Sequence, residues 1–154
     1  MPTTESLPTE RIRAAGLRAT QHRASVLEIL ADQPGHHTVE TVHVWAEGRL
    51  GSMSMQATYD VLGALAEAGL VRRIETPGQP ARYEARAGDN HHHFVCRSCG
   101  STIDIDCATG AAPCLVPFEL PGGFVVDEAE VTYWGQCRDC VATSTGGGAK
   151  PASP

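Results

Sequence analysis

Residues 54–85 read SMQATYDVLGALAEAGLVRRIETPGQPARYEA. Ser54 supplies a hydroxyl that can cap a helix N-terminus. Ala57, Val61, Ala64, Leu65 and Ala68 follow at helical spacing and give the helix one apolar face. Gly69 suits the left-handed position just past its end. Leu70 to Glu75 and Ala81 to Ala85 then read as two short strands around a Pro/Gly turn. A helix that runs straight into a β-hairpin, with more helices before it, is the winged-helix arrangement.

Those helices are legible upstream. Thr20 is a plausible N-cap, and Ala24, Leu27, Leu30 and Ala31 form one stripe before Pro34-Gly35 breaks the helix. Val39, Val42, Trp45, Ala46 and Leu50 form a second stripe, and a short helix is expected before Gly16. Downstream the composition changes. No Cys precedes residue 86, and all six lie between 96 and 140. HHHFVC and STIDID flank a first CxxC as strands, and FVVDEAEVTYW alternates before a second. Pro113, Pro117 and Pro121 argue against a long helix between them. The stretch from Ala142, ATSTGGGAKPASP, has the composition of a disordered tail. The expected organisation is therefore an α+β chain. Residues 1–86 are expected to form a winged-helix domain, 87–141 a small α/β domain rich in Cys and His, and 142–154 a tail.

The chain has 154 residues with 12 Lys+Arg, 18 Asp+Glu and a formal charge of -6. This excludes a bulk polycation and leaves room only for a local basic face. No apolar run reaches the ~20 residues of a membrane helix, and MPTTESLPTE lacks the pattern of a secretory signal. A cytoplasmic protein with no membrane partner is expected. Six Cys in such a chain point to metal or redox chemistry rather than a disulfide framework.

Cys96, Cys99, Cys137 and Cys140 form a CxxC…CxxC pair. Two intervening residues let both thiolates of a knuckle turn to one ion, and two knuckles complete a tetrahedral zinc shell with no open position. That zinc is expected to be structural. Cys107 and Cys114 fall outside the set and read as small buried apolar residues, with a redox pair or ligands for another metal as alternatives. His91 and His93 share one strand face. If the strands flanking the first knuckle pair so that positions i and 195 − i meet, His91 lies opposite Asp104, with Asp106 further along that face. Phe94, Ile103 and Ile105 then form core on the other face. Two imidazoles and a carboxylate suit Fe(II), Mn(II) or Zn(II).

At this point the chain resembles the ferric uptake regulator (Fur) family of metal-dependent bacterial repressors. The resemblance rests on GLRATQHRASVLEIL, HHTVE, SMQATYDVL, RYE, DNHHHFVCRSCG and YWGQCRDC, and covers roughly residues 10 to 140. The pattern DNHHHFVCRSCG…DIDC…APC…DEAEV…WGQC looks most like the actinobacterial branch that represses catalase genes in response to peroxide. The resemblance implies a regulatory metal on His36, Glu84, His91 and His93, with His37 as rival for the first place. It implies that residues 1–86 are a DNA-binding domain with hinge and 87–141 a zinc-stabilised, metal-binding dimerisation domain, and that peroxide-sensing members add an Asp where this chain has Asp104. The ion would be Fe2+ or Mn2+, with Zn2+ or Ni2+ able to substitute. A further family site uses neighbouring His and acidic residues, but here Asn90 and Ala129 depart from it, leaving His92 as a remnant.

The helix from Ser54 would enter the major groove of DNA, presenting Ser54, Gln56, Thr58 and Tyr59. Gln pairs with adenine edges, and Thr or Tyr contacts thymine methyl groups, so an A·T-rich operator is expected. Arg18 and Arg23 would hold phosphates or enter the minor groove. Asp60 stands where the family usually carries Arg or Asn. A homodimer on a palindrome follows from two half-sites on one face of the duplex. The expected function is a metal-dependent repressor, not an enzyme, that senses peroxide through oxidation of a ligand His. An iron- or zinc-uptake regulator is the alternative.

Overall fold

The computed structural model describes residues 7–85, 87, 89–117 and 119–144. The chain forms two compact units, residues 1–88 and 89–154. No helix among the described residues is long and apolar enough to cross a membrane.

The first unit contains α1 (Pro8–Ala14), α2 (Gln21–Asp32), β1 (His37–Thr38), α3 (Val39–Leu50), α4 (Met55–Glu67), β2 (Arg72–Ile74) and β3 (Arg82–Glu84). Hydroxyls start three of the helices. Thr20 accepts from the Arg23 amide at 3.3 Å, Thr38 from Thr41 at 3.4 Å and Ser54 from Ala57 at 3.1 Å. Each satisfies one of the donors that a helix start leaves without an internal partner. Gly69, at φ +69°, makes the left-handed turn after α4.

Ile12, Leu27, Leu30, Val42, Leu62 and Leu65 are fully buried and join the helices into one core. The helix faces are rotated from the expected stripes. In α2 the buried set is Ser25, Val26, Leu27, Ile29 and Leu30, and Ala31 is exposed. In α4 it is Thr58, Val61, Leu62 and Leu65, with Ala57, Ala64 and Ala68 only half-buried. Branched side chains bury more apolar area than a methyl group, so they set the phase and the alanines fall to the flanks. The hairpin forms as expected, with Arg73 opposite Tyr83. β1, too short to carry a period, adds to the far side of β3 and completes the sheet order β1-β3-β2.

The second unit contains β4 (His91–Cys96), β5 (Thr102–Asp106), β6 (Thr132–Gly135) and α5 (Arg138–Ser144). Its sheet order is β5-β4-β6, antiparallel between β4 and β5 and parallel between β4 and β6. The β4–β5 register differs from expectation by two residues. His91 pairs with Asp106 and His93 with Asp104. The turn is centred one residue later, closed by Cys96 N–H to Ser101 O and Gly100 N–H to Cys96 O, both 2.9 Å. An even shift preserves which face each side chain occupies.

Three further expectations change. The strand before the second knuckle is only four residues long, and Val125, in the supposed alternation, is 90% exposed. Only His93 to Cys96 of β4 pair with β6, which limits the ladder. Ala142 to Ser144 belong to α5 rather than to a tail. The Thr143 and Ser144 hydroxyls donate to the Cys140 carbonyl at 3.0 and 2.8 Å and close its last turn; the rest of the expected tail lies outside the described residues. Finally, Phe94, Ile103 and Ile105 are not core, and Ile103 is 53% exposed. Val95 and Cys96 are the only buried apolar residues among those described in this unit, beside His91, His92 and His93. A single three-stranded layer with so little apolar burial needs something other than a hydrophobic core to hold it.

Candidate metal centres and nucleic-acid interface

The parallel pairing of β4 and β6 sets Cys96 opposite Gly135, so the knuckle ending β4 lies beside the one leading into α5. The sulfurs of Cys96, Cys99, Cys137 and Cys140 all lie within 4.8 Å of one another, and Cys99 and Cys137 are 3.7 Å apart. A tetrahedral zinc with bonds of ~2.3 Å would separate its sulfurs by about 3.8 Å, so the donor set fits that ion. The Cys137 amide donates to Cys96 Sγ at 3.3 Å. Together with the Cys99 amide it lowers the Cys96 thiol to about 6. The neighbouring sulfurs, Cys137 first, push Cys140 up to about 12. Thiols this close oppose one another's ionisation, and a divalent cation relieves that opposition.

In the second unit, Nε2 of His91 and Nε2 of His93 each lie 3.7 Å from Asp104 Oδ1. The two rings meet edge to face with centroids 5.0 Å apart. The separation exceeds a hydrogen bond, yet all three atoms can reach one cation at ~2.1 Å. Asp89 Oδ1 sits 2.7 Å from His91 Nδ1. That contact fixes the tautomer and turns Nε2 toward Asp104, as a carboxylate behind a metal-bound imidazole does. Sequence reasoning missed Asp89. Its signal was the i, i+2 spacing to His91, which keeps both on one side of an extended chain.

In the first unit, the β1–β3 pairing of His37 with Tyr83 extends to bring His36 opposite Glu84. His36 Nε2 lies 3.1 Å from Glu84 Oε2, with both side chains almost wholly buried. His37 is turned elsewhere. Its Nε2 is 2.9 Å from the Gln33 carbonyl, and its ring meets Trp45 edge-on at 4.8 Å. The first unit thus holds a His–Glu pair, and the second a His–His–Asp set.

On α4, Gln56 and Tyr59 are exposed, and the Gln56 amide donates to Asp60 at 2.9 Å. Ser54 is exposed, although its hydroxyl caps the helix. Thr58, expected as a base reader, is fully buried. Its hydroxyl donates to the Ser54 carbonyl at 3.2 Å and meets His43 Nδ1 at 3.0 Å. It shares the helix phase of Leu62 and Leu65, so it faces the core and not a groove. Arg18 is exposed, and Arg23 donates to its carbonyl at 2.8 Å. The two arginines, His22 and Asp60 line a shallow groove beside α4. Cys107 and Cys114 are half-buried and lie beside His92 rather than in an apolar core.

The sequence profile of the ferric uptake regulator family matches residues 14–109. The chain belongs to the Fur family. Transcriptional regulator FurA of Mycobacterium tuberculosis is 52% identical over 136 residues, 88% of this chain and 91% of that one. Ferric uptake regulation protein 1 of Mycolicibacterium fortuitum is 50% identical over 129 residues, covering 82% and 77%. The solved structure of the Helicobacter pylori Fur superposes with a TM-score of 0.67 at 21% identity, over 92% of this chain and 97% of that one. It shows the same fold. This Fur protein is accordingly a metal-dependent transcriptional regulator of a DNA-binding family.

Proposed function

We propose that the chain is a homodimeric repressor that holds zinc on Cys96, Cys99, Cys137 and Cys140 and a regulatory Fe(II) or Mn(II) on His36, Glu84, His91, His93 and Asp104. The observation that carries the regulatory reading is Asp104 Oδ1 at 3.7 Å from both imidazole Nε2 atoms. Histidine and carboxylate donors suit hard or borderline divalent ions, whereas the sulfur set suits zinc. Ligands drawn from both units would favour one interdomain arrangement, so ion binding shifts a population and is not a fixed contact. Gln56 and Tyr59 of α4, with Ser54 at its start, would meet an A·T-rich palindrome, and Arg18 and Arg23 its phosphates.

Exposed apolar residues support a dimer. Phe124 (68%), Val125 (90%), Val116 (79%) and Leu115 (59%) lie open in a unit that buries little of its own. Large apolar side chains left in water favour burial against a partner. With residues 1–85 holding eight Arg against ten acids, DNA affinity would come from a local patch and two copies rather than net charge. A transcriptional regulator acts on DNA, so the protein would work in the cytoplasm.

Bound Fe(II) would supply electrons to hydrogen peroxide beside the imidazoles. His36 or His91 would then take one oxygen of the peroxide at a ring carbon, the other leaving as water; its nitrogens would donate too weakly to keep the ion, and the operator would be released, raising expression of catalase-type genes. The test is peptide mass spectrometry after a brief peroxide pulse on Fe(II)-loaded protein. Tryptic AGDNHHHFVCR and the peptide from Ala24 to Arg49 report the two sites. One added oxygen on His, absent from a zinc-loaded control, is expected. The second reading, a metal-uptake regulator, draws on the "ferric uptake" name of the M. fortuitum relative. It would replace the first if no His gains oxygen while DNA binding still follows free metal.

A further inference from the structure

The strand β4 has a second face. His91 and His93 point to one side, so His92 points to the other. There, His92 Nε2 lies 3.0 Å from Cys114 Sγ. Cys107, just past the end of β5, completes the group, with one donor atom from each of the three residues within 4.8 Å of the others. The donors come from three segments: a strand, the turn after its neighbour, and the Pro-rich stretch.

We infer that His92, Cys107 and Cys114 form a third metal site, a thiolate–imidazole site for a thiophilic divalent ion of the zinc class. Four observations carry it. His92 is 4% exposed, and its Nδ1 has no hydrogen-bond partner among the described residues. A thiol is a weak partner for the buried Nε2, and a cation there would give that nitrogen a strong one. The sulfur of Cys107 accepts a hydrogen bond from Asn90 Nδ2 at 3.1 Å, and the same amide donates to the Ala111 carbonyl at 2.9 Å. A donor held in place behind a sulfur steadies it as a ligand. Thr109 Oγ1 lies 3.3 Å from that sulfur as well.

The third observation is room. His92, Cys107, Thr109, Cys114, Val131 and Tyr133 border a cavity of about 150 Å³, enough for an ion and a water as fourth ligand. The fourth is separation by chemistry. Two thiolates and an imidazole prefer a softer ion than two imidazoles and a carboxylate, so the two faces of one strand would sort different metals. Two thiolates also neutralise a divalent charge in this half-buried place. Asn90 is therefore a sulfur-supporting residue here, not merely a missing ligand of another site.

Cobalt(II) reads the site directly, because only sulfur ligands give it a near-ultraviolet charge-transfer band. Full-length, reduced protein carrying one zinc on the two knuckles would be titrated with Co(II). One equivalent with a thiolate band is expected. The band should vanish in Cys107→Ser/Cys114→Ser while the knuckle zinc is retained, and persist in His93→Ala. One added zinc equivalent should also slow alkylation of Cys107 and Cys114 about tenfold in peptide mapping. Cobalt bound without a thiolate band, or a band indifferent to the double serine variant, would overturn the site. So would a reduced Cys107–Cys114 pair that zinc leaves fully reactive.

Discussion

In the proposed metal site, single residues divide into those that would carry the ion and those that would hold a carrier still. Asp89 belongs to the second kind. Replacing it by Asn removes the charge behind His91 Nδ1 but keeps the shape. We expect the affinity for Mn(II) to fall about 10–100-fold, read by metal-dependent DNA binding, with the fold unchanged. Thr58 is a residue whose reading from the sequence was wrong for an identifiable reason. A threonine among exposed helix-start residues looks like a groove reader, and only the phase set by Leu62 and Leu65 turns it inward. Thr58→Val keeps the volume and loses the hydroxyl between His43 and the Ser54 carbonyl. It should cost about 1 kcal/mol in urea unfolding and leave operator preference as it was. A changed operator preference would return Thr58 to the DNA face.

Among elements, the helices, the hairpin and the two knuckles were legible because each is written locally, in caps, stripes and CxxC spacing. What was not legible depended on distant partners. The β4–β5 register needed the hydrogen bonds of the knuckle turn, and β1 needed β3 beside it. The parallel place of β6 needed β4, far away in sequence. Gly135 shows how tightly that last pairing is drawn. A Cβ on it would lie 3.0 Å from Phe94 Cε2. Gly135→Ala should push the Phe94 ring aside and cost about 1–3 kcal/mol, seen as weaker zinc retention and a lower melting temperature of the second unit. An unchanged melt would mean that the ring yields freely.

At the scale of the whole molecule, the two units rest on different physics. The first has a packed aliphatic core, whereas the second buries few apolar side chains among its described residues. Zinc on the knuckles would supply ~10–16 kcal/mol of apparent binding energy, far more than that small core. Cys137→Ser should therefore unfold the second unit while the helical unit still melts cooperatively, which circular dichroism and proteolysis can separate. Acid should do the same reversibly. The Cys96 thiol is held at about 6 by the Cys137 and Cys99 amides. A depressed thiol stabilises the fold above its ordinary value and loses that contribution as pH falls through about 6. Zinc competes with protons for the same sulfurs, so it should stay bound at neutral pH and leave only below the point at which the free thiol protonates, measured with a chromophoric chelator.

The turn between β4 and β5 carries a last implication. It bears one of the knuckles, and the same turn decides that His93 stands opposite Asp104. If zinc holds that knuckle, a newly made chain that has not found it would have no settled place for the proposed regulatory ion. On the proposed reading the order of loading becomes a matter of supply: a cell starved of zinc would make a regulator that cannot take up its second metal, however abundant that metal became.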